Sequence, residues 1–232
     1  MITSKLLYLA SRPVVGTYAG TMLKMDVRRH EVFPAGAKII AANHPTTTDP
    51  FFIAAMVRQQ AYILINELLF QVPILGEYLR RSGHIPVQAG NGPAALEAAL
   101  EHLKLGHTII IFPEGDLSPE QGGFQKARTG VARLPVMSGA PVVPVGIHLQ
   151  RERIHTIKST VRGRVEYGRW YLRGAYNVTC GKPLFFGGDV ENRPYVRSVA
   201  DNVMHHIIEL AHESETRYTR FPTPLTSLPQ TP

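Results

Sequence analysis

Two short stretches carry residue types that could do acid–base chemistry. The first is Asn43-His44-Pro45-Thr46-Thr47-Thr48-Asp49, a histidine followed five positions later by an aspartate. If this loop folds back, Asp49 accepts a hydrogen bond from one imidazole nitrogen, fixes the tautomer and leaves the other nitrogen free to take a proton. A plainer reading stands beside it: Asp49 before Pro50 is a good helix N-cap, and His44 then occupies an ordinary turn. The second stretch is Ile111-Phe112-Pro113-Glu114-Gly115-Asp116-Leu117-Ser118, at the end of the apolar run Thr108–Phe112. A carboxylate and a glycine where a buried strand emerges suit a ligand crevice: Gly115 lets a backbone N–H approach a developing oxyanion, and Glu114 can hold a hydroxyl. An ordinary strand exit with an exposed glutamate is the alternative.

No protein nucleophile accompanies the base. The chain has no Gly-x-Ser-x-Gly elbow, and its single cysteine, Cys180, lies far away in sequence. The base would therefore have to activate a hydroxyl belonging to the substrate. One cysteine also excludes an internal disulfide framework, a zinc finger and a Cys-ligated cluster, and suits a reducing compartment. His84, His148 and His155 lack ligand spacing with one another, so no metal is expected.

The elements that must hold these loops alternate between short apolar strands and helices. Strands are expected at Lys38–Ala42, Ala61–Ile65, Ile85–Val87, Thr108–Phe112 and Val142–Ile147, the last two as continuous apolar runs of the buried kind. A helix opens at Asp49-Pro50, and the Ala- and Leu-rich run between Gly92-Pro93 and Gly106 is the clearest helix in the chain. Arg128–Met137 reads as a helix that Pro135 should kink or end early. Further strands at Gly163–Gly168 and Tyr176–Cys180 and a closing helix over Tyr195–His212 complete an α/β pattern. The expected fold is a single domain with a mixed, mainly parallel central sheet flanked by helices, plus an N-terminal interfacial helical segment.

The formal net charge is +7, from 25 Lys+Arg against 18 Asp+Glu, so an anionic partner is expected. Arg151–Arg173 holds seven basic residues against Glu152 and Glu166, either as a solvated face or as a binding patch. Trp170, Tyr167 and Tyr171 lie within it; they suit base stacking, a membrane interface or a sheet edge equally, and no nucleic-acid motif accompanies them. No run of 18 apolar residues predicts a membrane span. Near the N-terminus Arg12-Pro13 splits an apolar stretch. Beyond it Val14/Val15, Tyr18/Ala19 and Met22/Leu23 form a stripe flanked by Lys5, Arg12 and Lys24, suited to a membrane interface or to the domain's own core.

Four blocks in one order resemble the glycerolipid acyltransferase family typified by 1-acylglycerol-3-phosphate acyltransferase. They are Asn43-His44 with Asp49; Leu68-Leu69 through Pro73-Ile74-Leu75-Gly76 to Gly83-His84-Ile85-Pro86-Val87; Phe112-Pro113-Glu114-Gly115; and Val143-Pro144-Val145 after Gly139-Ala140-Pro141. A late Gly181-Lys182-Pro183-Leu184 also matches. The resemblance implies a phospholipid-biosynthetic transferase with His44 as general base and Asp49 as its orienter. It would move an acyl chain from acyl-CoA or acyl carrier protein to a hydroxyl of a lysolipid-like acceptor, without a cofactor. Pro113, Glu114 and Gly115 match positions implicated in acceptor binding. Two arginines expected to grip the acceptor's phosphate are replaced at Ala89 and Leu117, and Lys126 and Arg128 are the candidates to compensate. A non-phosphate acceptor, such as an amino-lipid or glycolipid, and a non-catalytic lipid-binding protein are the other readings. The resemblance implies a membrane-interface helical segment over 1–30, an acyltransferase domain over 31–213, a flexible tail over 214–232, and a peripheral or monotopic place on the cytoplasmic face of a membrane.

Overall fold

A computed structural model describes residues 2–161 and 164–220. Seven strands form one sheet: β1 (Asp26–Arg29), β2 (Lys38–Ala42), β3 (Ala61–Asn66), β4 (Ile85–Val87), β5 (Thr108–Ile111), β6 (Val142–Leu149) and, counting past a separate hairpin, β9 (Tyr176–Cys180). The hairpin is β7 (Ile154–Val161) with β8 (Arg164–Tyr171). The helices are α1 (Ile2–Thr21), α2 (Asp49–Ala55), α3 (Leu75–Arg81), α4 (Gly92–Lys104), α5 (Gly130–Ser138) and α6 (Arg193–Arg220). Spatial order in the sheet is β1-β9-β6-β2-β5-β3-β4. The strands from β6 to β4 run parallel, β9 runs antiparallel to β6, and β1 runs parallel to β9, so the sheet is mixed and mainly parallel.

The central strands read as unbroken apolar runs because both their faces are covered. In β2, Ile40 and Ala42 join Ile110, Val143 and Val145 under α1, α2 and α3. Ile39 and Ala41 face the other way and join Ile109, Val142 and residues of α4, α5 and α6. The last helix lies so close to the sheet that a Cβ on Gly146 would fall 2.0 Å from the Ala211 nitrogen. Only glycine fits that contact.

Four expectations change at the ends of the chain. Arg12-Pro13 does not split the N-terminal stretch, since α1 runs through Pro13. Tertiary bonds on either side of the proline hold it: the Tyr8 hydroxyl lies 3.0, 3.1 and 2.9 Å from the carbonyl oxygens of Ala54, Val57 and Gln59, and Arg12 donates to the Arg58 carbonyl. These bonds tie α1 to carbonyls in the last turn of α2 and in the segment that follows it. The apolar stripe divides as well. Ala19 and Leu23 are buried and Val15 and Tyr18 pack against the core, whereas Leu6, Leu9, Val14 and Met22 stay exposed. Residues 26–29, placed within an N-terminal segment by the sequence, are strand β1 of the sheet itself.

At the other end the tail cannot begin at 214, because α6 continues to Arg220. Ser214 is buried, donates to the Gly146 carbonyl and pairs with Thr179, and Arg217 reaches Asp26, Thr179 and the Val178 carbonyl. The remainder of that tail, 221–232, lies outside the described residues. Pro135 neither breaks nor shortens α5 at its own position; the helix ends at Gly139, whose φ is +67°. The strand expected at Gly163–Gly168 is β8, and Gly163 itself lies outside the described residues.

His84, between α3 and β4, is 8% exposed, and its Nδ1 accepts the Ile63 N–H at 3.3 Å. Burial lowers its pKa to about 4. The folded state therefore favours neutral His84, and the stability this gives is present above the unfolded value near 6.5 and lost as pH falls toward 4. The melting temperature is expected to drop across that window by the equivalent of ~3 kcal/mol, and His84→Gln should flatten the drop in a pH series of thermal melts. An equally steep profile in the variant would assign the loss to other groups.

Candidate functional site

The site is built by strand register. Strands β2 and β5 are parallel neighbours with Ala41 opposite Ile111, so the residues three positions beyond each, His44 and Glu114, emerge side by side at the same sheet edge. The His44 N–H donates to Glu114 Oε1 at 3.0 Å, and the Ser118 N–H donates to the His44 carbonyl at 2.8 Å. On the far flank of β2, the Asn43 side chain exchanges two hydrogen bonds with the Ile147 backbone, at 3.0 and 2.7 Å. It extends the β2–β6 ladder by one step after the backbone has turned away.

The His44–Asp49 loop does fold back. His44 Nδ1 lies 3.1 Å from Asp49 Oδ2. Asp49 is 0% exposed and takes three more donors: the Thr46 N–H at 2.7 Å, the Thr46 hydroxyl at 2.5 Å and the Tyr176 hydroxyl at 2.7 Å. An ionised carboxylate only accepts, so His44 carries its proton on Nδ1 and Nε2 is the free base. The imidazole is stacked on Phe112 with ring centroids 4.2 Å apart and keeps 17% of its side-chain surface exposed. Thr48, not Asp49, is the residue that precedes α2 as its cap, and Asp49 turns its carboxylate onto the loop.

Tyr176 is the member of this group that the sequence did not mark as functional. It begins β9, 127 positions from Asp49, and no local pattern announces the pair. Burial first, then the Asp49 charge and its hydrogen bond, hold the phenol well above its ordinary pKa, so it stays a donor.

Glu114 and Gly115 sit differently from the sequence reading. Glu114 is 2% exposed, and its Oε1 accepts from Ser118 Oγ at 2.6 Å as well as from His44, while Oε2 accepts the Gln125 N–H at 2.8 Å. Its carboxylate therefore faces inward and joins three segments. The Gly115 N–H, expected to approach an oxyanion, donates to the Phe112 carbonyl at 3.0 Å. Gly115 has φ +71°, and a Cβ there would lie 2.1 Å from Arg128 Nε. The Arg128 side chain thus lies across Gly115, and the Arg128 backbone N–H donates to the buried Pro113 carbonyl at 2.7 Å. His44, Asp49, Pro113, Glu114, Gly115 and Arg128 come together; Lys126 is exposed between Gln125 and buried Ala127 and, among the described residues, makes no side-chain bond to the group. Cys180 is buried, which pushes its thiol up to about 12, and it is no nucleophile.

Tyr176→Phe removes one of four donors from a buried carboxylate without changing shape. It is expected to lower stability by ~1–3 kcal/mol in denaturant unfolding. An unchanged midpoint would mean that the Asp49 carboxylate does not rely on the phenol.

The acyltransferase family model matches residues 24–148, more than half of the chain. A 1-acyl-sn-glycerol-3-phosphate acyltransferase of Limnanthes alba is 26% identical over 118 residues, 48% of this chain and 42% of that protein. A chloroplastic 1-acyl-sn-glycerol-3-phosphate acyltransferase of Arabidopsis thaliana is 25% identical over 138 residues, 53% of this chain and 38% of that one. The matched region thus spans about two-fifths of those relatives. The crystal structure of the 1-acyl-sn-glycerophosphate acyltransferase PlsC from Thermotoga maritima superposes with a TM-score of 0.63 at 24% identity, over 93% of this chain and 81% of that chain. With the family match covering the strands that carry His44, Asp49, Glu114 and Gly115, the chain belongs to the acyltransferase family.

Proposed function

We propose that the chain transfers a fatty acyl group from an acyl thioester, on CoA or an acyl carrier protein, to a hydroxyl of a lysophospholipid-like acceptor at a membrane surface. The observation that carries this reading is the His44–Asp49 pair held by Thr46 and Tyr176, with no bond to Nε2 among the described residues and with the neighbouring Thr46 and Ser118 hydroxyls committed to the Asp49 and Glu114 carboxylates. His44 Nε2 takes the proton of the acceptor hydroxyl as its oxygen attacks the thioester carbonyl. The tetrahedral intermediate then collapses, the C–S bond breaks, and the departing thiolate recovers that proton from His44. Asp49 stabilises the imidazolium between the two steps. Glu114 is assigned a positioning role, since its acceptor sites already serve His44, Ser118 and Gln125.

The Arg128 guanidinium across Gly115 supports an anionic head group, because a planar fork of donors matches a phosphate. The exposed Leu6, Leu9 and Val14 of α1, Met22 just beyond it and the net positive charge support attachment to an anionic bilayer surface. Among the described residues no helix is long and apolar enough to cross a membrane. A second reading, an acceptor without a phosphate, has one observation in its favour: Asp116 is exposed beside Gly115 where a cation would be wanted.

His44→Ala should lower turnover by ~10²–10⁴, measured as thiol release from acyl-CoA with lysophosphatidic acid present at a temperature where the melt shows the variant still folded. Wild-type turnover in that variant would remove His44 from the mechanism. In a competition between lysophosphatidic acid and an uncharged monoacylglycerol, Arg128→Ala should shift the preference toward the uncharged acceptor by roughly tenfold, the equivalent of ~1.4 kcal/mol. A preference that starts with the uncharged acceptor and does not move favours the second reading.

A further inference from the structure

Strands β7 and β8 form a hairpin outside the main sheet, and its use is not explained by the site alone. Its base is rooted: Tyr171 is buried, Ile154 packs on the core, and Thr156 donates to Glu120. Away from the base, the ribbon exposes apolar side chains on both faces. Ile157 is 54% exposed and Tyr167 60%, and Val165, Trp170 and Leu172 are exposed as well. Lys158 stands opposite Tyr167 in the register, and the Arg151–Arg173 segment that makes the hairpin holds seven basic residues against two acidic ones. Exposed aromatic and aliphatic groups interleaved with cations fit a water–lipid boundary with negative head groups.

The ribbon is continuous with a second surface of the same kind. The Tyr18 hydroxyl of α1 donates to the Leu172 carbonyl at 2.5 Å, and the Gly174 N–H donates to the Met22 carbonyl at 3.1 Å. The exposed Met22 and Leu172 therefore stand at a shared junction between α1 and the hairpin. That continuity favours an extended lipid surface over a compact protein partner.

The hairpin is also wired to the catalytic loop. On the edge of β8 away from β7, the Thr47 N–H donates to the Arg169 carbonyl at 2.9 Å, and the Arg169 N–H donates to Thr47 Oγ1 at 2.9 Å. The Arg169 guanidinium donates to the Ser118 carbonyl. Ser118 in turn bonds His44 and Glu114. One residue of the ribbon thus grips both loops that form the site. A two-stranded ribbon gains little stability of its own, so what it rests on governs how firmly it holds those loops.

We propose that the β7–β8 hairpin is a docking arm for an anionic bilayer surface, and that Arg169 and Thr47 carry that contact to the His44–Asp49 loop. Arg169 is a positioning residue in this scheme. The proposal deepens the acyltransferase reading, on which the purpose of the coupling rests.

The chain's one tryptophan, Trp170, lies on the arm and reports on it directly. The experiment presents the full chain with vesicles of phosphatidylcholine alone or mixed with phosphatidylglycerol, with brominated lipid as a quencher of Trp170, and follows amide exchange of 43–49. Quenching and blue-shifted emission are expected with the anionic vesicles, together with slower exchange of 43–49. Lys158→Ala should weaken vesicle partition by roughly fivefold, and Ile157→Ser should reduce quenching. Arg169→Gln should keep the quenching and lose the slowed exchange, and Arg169→Lys should restore it in part. Vesicle binding without Trp170 quenching, or no binding, overturns the docking arm. Quenching with unchanged exchange of 43–49 in the wild type overturns the coupling. An emission shift with acyl carrier protein and none with vesicles overturns the lipid assignment. The same readouts on His44→Ala need no turnover, so failure of the acyl-transfer reading and failure of this one are told apart.

Discussion

The Glu114 carboxylate is the constraint on which the rest of the site depends. It is buried, and a buried charge without partners costs several kcal/mol, so the chain must deliver donors to it. It does so from three places: the end of β2 through the His44 N–H, the Ser118 hydroxyl, and the returning strand of chain at Gln125. Each is fixed by something larger. The parallel register of β2 and β5 sets the first, the turn that positive φ at Gly115 allows sets the second, and the anchor of Arg128 on Pro113 sets the third. A carboxylate so engaged cannot swing toward a substrate. Its contribution to chemistry is the place where it holds the backbone of His44.

Asp49 performs the complementary task on the imidazole. Four donors surround a fully buried carboxylate, and only one of them is the histidine. The other three hold the Asp49 carboxylate in place against the imidazole. Phe112 at the back of the ring limits its rotation. The pair is thus held in place in advance, which is the arrangement that the proposed role of His44 as a base requires.

Much of this was legible in the residues. Strand, loop and helix around Asn43–Asp49 were plain because β2 is apolar from Ile39 to Ala42 and Pro50 marks a helical first turn, while the fold-back of the loop stood beside the plainer cap reading. The strand β5 was equally plain. Partners distant in sequence were not: Tyr176 reaches Asp49 only because β9 lies beyond β6, and nothing local says so. Strand β1, Asp-Val-Arg-Arg, is a polar edge strand and carries no alternation to read. The inward turn of Glu114 was hidden too, since a glutamate after a strand has the same sequence whether it faces solvent or its own loops. The helix α1 was read as one stripe because periodicity gives a face and not a partner; the sheet and α2 claimed half of it.

That helix has a second consequence. Tyr8 closes the C-terminal end of α2, whose first residue is Asp49, and the Leu23 carbonyl just beyond α1 accepts the N–H of Tyr176 at 3.0 Å. Both flanks of the buried aspartate therefore lean on the N-terminal 24 residues. These residues are a foundation as well as an outer surface, and a shortened chain would disturb the support of Asp49 and remove the exposed apolar side chains in a single cut. Any separation of the two must be made by changing the outward-facing Leu6, Leu9, Val14 and Met22 one side chain at a time, leaving the inner row in place.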